Sequence, residues 1–270
     1  MKKLNVLAKS RGAVVFAFNT EFDYISIAKR SARLINHVLG VPVTLVTDQN
    51  ISDEIFDQVI LIDNQLQNNQ PGLSFARSWR NGDRYRAYEL SPYDETILLD
   101  ADYLVLDRSL LKLFEQDFDY RIMTHNQLPD QTWNESMGSG SLQYQWATVI
   151  LFKKTPKAEM LFDLAGRVQR NYFHYYNLYK MSRGHFRNDY AFTIANNILN
   201  GYDQGMDQGI PWPMLSLTNL MKSIELKNSL ITIKEIDRAY VIPQRDLHVA
   251  DKEFLLTKNF NDFVDVICAN

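Results

Sequence analysis

The stretch Thr96-Ile97-Leu98-Leu99-Asp100-Ala101-Asp102-Tyr103-Leu104-Val105 sets an apolar run of strand length against two aspartates and then resumes its apolar character. A continuous apolar run of this kind is what a strand buried on both faces requires, as in a mostly parallel sheet covered by helices. On an extended chain residues i and i+2 point to the same side, so Asp100 and Asp102 are expected to converge on one hard cation at the carboxyl end of a core strand. Open α/β sheets bind ligands in the crevice outside those strand ends. Two aspartates after a strand also serve as a helix cap and a solvated turn, and the tripeptide alone does not choose between these roles.

Outward from this stretch, strands and helices alternate through the first half of the chain, which is the pattern of an α/β architecture. Ala13-Val14-Val15-Phe16-Ala17-Phe18 reads as a buried strand ending at Asn19-Thr20. Apolar residues at 24, 25, 28, 34, 35, 38 and 39 then give a helical period, closed by Gly40 and Pro42. Val43 to Thr47 and Val59 to Ile62 supply two more strands, ending at Asp48 and Asp63. Residues 64–75 read as a loop, and a helix is expected from Ser78 to Leu90. Beyond Asp107 the pattern predicts a short helix over 109–114, a strand over 120–123 and a polar excursion over 125–145. A strand over 148–152 and a helix from Pro156 to Tyr176 follow. Pro211, Pro213 and Pro243 break the second half, which shows no linker and is expected to pack on the same sheet.

Composition removes several classes of function. Lys and Arg total 29 against 32 Asp and Glu in 270 residues, a formal net charge of -3, so the chain as a whole is not a polycation built for a phosphate backbone. The single cysteine, Cys268, excludes an internal disulfide framework and a Cys-rich zinc site, and a reducing, cytoplasmic setting is expected. The opening MKKLNVLAKSRG is too charged for a signal peptide, and no run of about 18 uncharged apolar residues occurs, so a soluble chain without a membrane span is expected. G-x-G-x-x-G, Walker A, G-x-S-x-G and H-E-x-x-H patterns are all missing, which argues against dehydrogenase, nucleoside-triphosphatase and hydrolase chemistry.

The acidic strand, followed by Asp107 and the Leu110-Leu111-Lys112-Leu113-Phe114 helix, resembles the strand and metal motif of GT-A glycosyltransferases. Within these it is similar to family 8, the glycogenin and bacterial galactosyltransferase group, and the order of the preceding elements matches. The resemblance runs as short motifs from residue 13 to residue 252. It implies a GT-A, Rossmann-like, mostly parallel central sheet flanked by helices, in one domain over 1–270. Residues 13–125 would then form the nucleotide-sugar-binding half and 126–270 the acceptor side. It also implies that Asn19 and Thr20 touch the nucleotide and that Tyr24 stacks on the base. A late His of the family completes the metal site and a following Lys touches the diphosphate, places that His248 and Lys252 match, with Lys258 as a second candidate. Here Glu253-Phe254 stands where the family continues with Pro-Trp. An imidazole with two carboxylates suits Mn²⁺ (or Mg²⁺) and leaves positions for two phosphate oxygens.

Arg77, Arg80 and Arg84 fall at i, i+3 and i+7, which a helix gathers on one face. The resemblance assigns a basic residue ahead of the metal motif to the sugar nucleotide, and Arg84 fits best, with Arg80 beside it; a solvated charged face is the plain alternative. Gln145 to Phe152 resembles the strand lining the donor-sugar pocket, with Trp146-Ala147-Thr148 in place of the family's Asn-Ala-Gly. Arg187-Asn188-Asp189-Tyr190 resembles the helix start beneath the sugar ring. Either Asn188 or Asp189 fills that catalytic place, Asp189 being preferred, and a helix cap is the alternative for Asp189.

From Arg167 to Tyr190 lie five Arg or Lys, two His and seven Phe or Tyr. Such a segment can pack in a core or a homo-oligomer contact, stack on an acceptor glycan, or track nucleic acid. The functional expectation is a metal-dependent glycosyltransferase that moves a sugar from a nucleotide sugar, UDP-linked, to an acceptor hydroxyl on a glycan or small molecule. The resemblance implies retention at the anomeric carbon. The alternatives are a sugar transferase acting on hydroxymethylated bases in DNA, and a noncatalytic nucleic-acid or glycan binder of the same fold.

Overall fold

A computed structural model describes residues 10–63, 81–133, 136–137, 142–181, 185–203 and 209–269. Strand β1 (Arg11–Phe16) leads to helix α1 (Tyr24–Leu39), and β2 (Val43–Thr47) and β3 (Gln58–Leu61) follow. Helix α1 starts where the Asp23 carboxylate accepts the Ser26 N–H at 3.1 Å. It stops where Gly40 adopts a left-handed φ of 67° and donates its N–H to Asn36 O at 3.0 Å. Its apolar stripe buries Ile27, Leu34 and Ile35 on the sheet.

A 3₁₀ turn (Asn81–Arg86) and helix α2 (Ala87–Leu90) precede β4 (Glu95–Asp100), the strand of the acidic motif. After it come β5 (Tyr103–Leu104), α3 (Ser109–Leu113), β6 (Tyr120–Met123), β7 (Asn126–Leu128), β8 (Gln131–Trp133), β9 (Ser136–Met137), β10 (Leu142–Gln143) and β11 (Trp146–Lys153). Helices α4 (Pro156–Arg170), α5 (Tyr172–Leu178) and α6 (Asn188–Leu199) follow, then strands β12 (Gly209–Ile210), β13 (Met214–Leu217), β14 (Met221–Lys227), β15 (Leu230–Glu235), β16 (Ala239–Pro243) and β17 (Leu247–Val249). Helices α7 (Lys252–Leu255) and α8 (Lys258–Cys268) complete the order.

Among the described residues the large sheet runs β12-β6-β11-β4-β1-β2-β3, with β11 antiparallel to both neighbours and the other pairings parallel. This is the mixed, mostly parallel α/β sheet expected from the buried apolar runs. The chain moves from β1 outward to β3 and then returns to place β4 on the other side of β1. That reversal opens a crevice between the carboxyl ends of β1 and β4, where Phe16 pairs with Asp100. Among the described residues no helix is long and apolar enough to cross a membrane.

The tertiary structure corrects four expectations. Asp100 and Asp102 do not alternate along one extended strand: β4 ends at Asp100, the chain turns at Ala101-Asp102, and Tyr103-Leu104 leaves to join a second sheet. The reason is a lack of ladder partners, since the paired register of β1 stops at Phe16 opposite Asp100. The described part of the 78–90 segment is a 3₁₀ turn and one α turn, ended at Ser91 before Pro92, whose ring disfavours a helical residue ahead of it. The helix from Pro156 divides at Asn171, with φ -115° and ψ 31°, into α4 and α5. Finally, the later strands do not all extend the large sheet.

Only β12 joins it; β13 and β17 sit in a five-stranded sheet of order β5-β17-β13-β7-β8, and β14-β15-β16 forms an antiparallel meander. Helix α8 packs on α1, with Arg33 and Asp265 paired at 2.6 Å.

Gly12 in β1 marks a close approach that fixes the outer end of this sheet. A Cβ there would lie 2.3 Å from Tyr93 Cζ, and the Tyr93 hydroxyl is held 2.8 Å from Thr44 Oγ1, so the ring has little room to yield. Gly12→Ala is expected to destabilise the protein by about 2 kcal/mol through overpacking. Urea unfolding should show a lower midpoint with an unchanged m-value.

Candidate active site

The crevice at the β1–β4 reversal is a cleft of about 430 Å³. Asp100 stands at its floor with 28% of its side chain exposed. Behind it lies Arg84, delivered by the 3₁₀ turn and only 1% exposed. The guanidinium pairs with Asp100 Oδ1 at 2.9 Å, and its Nε donates to Ala147 O at 2.9 Å. Further contacts reach Thr148 O at 3.3 Å and Leu99 O at 3.5 Å. Arg84 therefore ties β4 to β11 while balancing one carboxylate, a use for which a planar fork of donors is suited. Burial pushes the Asp100 carboxyl up; Arg84 opposes that rise, and the like charge of Asp102 adds to it.

Asp102 reaches the same cleft because of the turn, not because of strand alternation. Its Oδ2 receives the Lys252 ammonium and lies 3.7 Å from His248 Nε2. Its Oδ1 is buried with no hydrogen-bond partner among the described residues. Burial works to raise this carboxyl, but the Lys252 ammonium outweighs it and holds the group below the usual carboxylate range.

His248 is placed by pairing between strands distant in sequence. In the antiparallel β5–β17 ladder His248 pairs with Tyr103, and Val249 N–H donates to Asp102 O at 3.0 Å. The orientation of the imidazole follows from a chain of donors. Gln127 N–H donates to Asn126 Oδ1 at 2.8 Å, which identifies that atom as the amide oxygen. Ser216 Oγ must then give its only proton to the same oxygen, at 2.8 Å. With that proton committed, Ser216 Oγ accepts from His248 Nδ1, 3.1 Å away. In the neutral ring the Nε2 lone pair therefore faces Asp102. Neither Asn126 nor Ser216 was singled out in the sequence; a lone buried serine in the apolar Met214-Leu215-Ser216-Leu217 strand was the available signal.

The junction is braced from behind by Asp246, which is buried. It accepts the N–H groups of Leu106 and Asp107 at 2.7 and 3.1 Å and the Tyr103 hydroxyl at 3.1 Å. Burial and then the neighbouring Asp107 push its carboxyl up from 3.8 to about 7.

The far wall of the cleft comes from β11 and the start of α6. Asp189 accepts Ala147 N–H at 2.8 Å and pairs with Arg187 at 2.9 Å. It does not cap α6: the N-cap position is Arg187. Asn188 donates to Asn81 O at 2.8 Å. Both residues line the cleft, as do Thr20, Tyr24, Arg84 and His248. Arg187, His185 and Trp146 line it as well, and the Arg187 guanidinium lies 6.0 Å from the Trp146 ring. Asn19 is used differently: its Oδ1 accepts Ile25 N–H at 3.0 Å and helps to start α1. Lys258 is exposed at the first turn of α8. Arg77, Arg80 and Arg183 lie outside the described residues. In the 167–190 segment the aromatics divide, with Tyr172 and Phe186 buried and Phe173 turned to the surface.

No protein-family model matches the chain, and no curated protein matches it in sequence. Among solved structures the chain is similar to the galactosyltransferase LgtC in complex with donor and acceptor sugar analogues, at 15% identity and a TM-score of 0.46 over 68% of this chain and 70% of that one. It is similar to the glycosyltransferase GlyE of Streptococcus pneumoniae TIGR4, at 20% identity and a TM-score of 0.37 over 74% of this chain and 45% of that one. Mouse xyloside xylosyltransferase 1 matches at 12% identity and a TM-score of 0.42, over 73% of this chain and 83% of that one.

The raised Asp246 carboxyl carries a stability prediction. The folded protein holds this proton more tightly than the unfolded chain, so its stabilisation is present in acid and is lost as pH rises from about 4 to about 7. Asp246→Asn keeps an acceptor for the two N–H groups and offers an amide donor to the Tyr103 oxygen. Its melting temperature at pH 8 is expected to equal or exceed that of the parent, whereas Asp246→Ala should cost about 2 kcal/mol.

Proposed function

We propose that the protein is a GT-A-type glycosyltransferase that binds a nucleotide sugar, UDP-linked, in the crevice between β1 and β4. A divalent cation, Mn²⁺ or Mg²⁺, is held in this reading by Asp100, Asp102 and His248. Among the described residues no three His, Cys, Asp or Glu side chains already stand in ligating geometry. The donor set nevertheless fits such an ion. Asp102 Oδ1 is buried without a hydrogen-bond partner among the described residues, and His248 Nε2 presents a lone pair 3.7 Å from the other oxygen of the same carboxylate. An unpartnered carboxylate oxygen and an imidazole nitrogen on residues lining one cleft are stabilised by a cation that both can reach. This convergence is the observation that carries the reading. When bound, the ion neutralises charge building on the departing diphosphate.

The chain's own residues divide the remaining work. Tyr24 and Thr20 flank the nucleotide side of the cleft, and Asn188 and Asp189 the sugar side. Both carboxylate oxygens of Asp189 are engaged, by Ala147 N–H and by Arg187, which favours a positioning role beneath the sugar over proton removal from the acceptor. That supports a retaining course, in which the acceptor hydroxyl enters on the face the diphosphate leaves and a phosphate oxygen takes its proton. Trp146-Ala147-Thr148, standing where the family carries Asn-Ala-Gly, removes an amide from the cleft lining and adds bulk.

Thermal unfolding with Mn²⁺ and UDP tests this reading. UDP at about 100 times its dissociation constant should stabilise the protein by about 2.7 kcal/mol, and only with the metal present. Asp102→Asn should abolish that stabilisation, and a nucleotide-sugar panel should show slow donor hydrolysis by the parent alone. Stabilisation that ignores the metal, or survives Asp102→Asn, would refute the assignment. Salt-sensitive binding of nucleic acid without any response to UDP would favour a noncatalytic binder.

A further inference from the structure

Two cations balance the two carboxylates of the cleft, and they are held in different ways. Arg84 is enclosed, with its guanidinium spread over Asp100 Oδ1 and the carbonyl oxygens of Ala147, Thr148 and Leu99. Removing it would strand several buried acceptors at once. Lys252 has only Asp102 Oδ2 and Val249 O, the latter at 3.0 Å, as hydrogen-bond acceptors among the described residues. Its ammonium sits on a flexible four-carbon stem, in contrast to the rigid fork of arginine. The backbone beneath it is anchored, because Asp251 caps α7 at Phe254 N–H and also accepts Met221 N–H, at 3.0 and 2.9 Å. Lys252 can therefore move its charge without moving its helix.

The atom that Lys252 holds is also the one that faces the imidazole. Asp102 Oδ2 lies 3.7 Å from His248 Nε2, so an ammonium and a divalent ion held by Asp102 and His248 would compete for one oxygen. Asp100 with Arg84 and Asp102 with Lys252 are each neutral as pairs. A divalent ion added to these two pairs brings two further positive charges into a cleft whose other charged lining is the Arg187–Asp189 pair and the exposed Glu21, which is costly. A diphosphate arriving with the ion restores the balance.

We propose that Lys252 is a displaceable resident counter-ion: it competes with the divalent cation for Asp102 and passes to the diphosphate when the donor binds, so that metal and nucleotide bind as a coupled pair. This inference rests on the metal-dependent reading above and assigns its order of assembly. The metal alone binds weakly because it must evict an ammonium. The nucleotide strengthens metal binding because it gives that ammonium a partner, and by linkage the metal strengthens nucleotide binding equally.

The test measures Mn²⁺ binding by loss of the free-ion electron paramagnetic resonance signal, for the parent, Lys252→Met and Lys252→Arg, without and with UDP. A titration of Mn²⁺ into UDP alone corrects for the free complex. Without nucleotide, Lys252→Met should bind Mn²⁺ about tenfold more tightly than the parent, and the factor by which UDP improves Mn²⁺ affinity should shrink about tenfold. Lys252→Arg, which keeps the charge, should resemble the parent without nucleotide. Lys252→Gln provides a second neutral variant if the Met protein does not fold, as judged by its melting curve. Equal or weaker Mn²⁺ binding by the neutral variants would overturn the inference while leaving the metal site itself standing. No Mn²⁺ binding by the parent even with UDP would remove the metal-dependent reading and the inference with it.

Discussion

Two carboxylates held side by side at the end of a buried strand form the constraint on which the rest of this structure depends. Neither Asp100 nor Asp102 can be kept ionised there without a cation, because desolvation and mutual repulsion both oppose it. Arg84 and Lys252 supply the charges from opposite sides and from distant parts of the chain. The opposite shifts of the two carboxyls reflect this: Asp100 is raised by burial despite Arg84, whereas Lys252 overcomes burial at Asp102.

The second sheet brings His248 to that pair, and helix α7, which follows β17, brings Lys252. Tyr103-Leu104 leaves the large sheet as soon as its neighbour ends and takes β17 as a new partner. The register of that ladder sets His248 beside the Asp102 turn, and β13 and β7 supply the serine and asparagine that hold the ring. Asp246 fastens the same junction through three donors. The imidazole is thus oriented by hydrogen bonds from the second sheet, which fix its tautomer in the neutral ring.

The opposite wall explains what kind of specificity this cleft can have. Trp146 is packed edge-on against Tyr144 with ring centroids 4.9 Å apart, and Tyr144 rests on Tyr190 of α6 at 5.9 Å. Asp189 bonds the backbone of the same strand at Ala147. This wall is therefore an aromatic and ion-paired surface, and it depends on close packing between β11 and α6.

Much of the α/β frame was legible because its physics is local. Continuous apolar runs such as Ala13 to Phe18 and Thr96 to Leu99 can be buried on both faces only in a covered sheet, and the period from Tyr24 to Leu39 has one helical solution. Asp100 and Asp102 were legible for the same reason, as charges placed abruptly at the end of such a run. That both groups line one cleft comes not from alternation along one strand but from a turn made where the ladder of β1 stopped. What Arg84 and Lys252 do, and the relay from Asn126 through Ser216 to His248, depended on contacts between residues 15 to 150 positions apart. No local pattern encodes such contacts, because the free energy that selects them arises only when the β1–β4 reversal and the β5–β17 pairing bring the groups into one buried, poorly solvated volume.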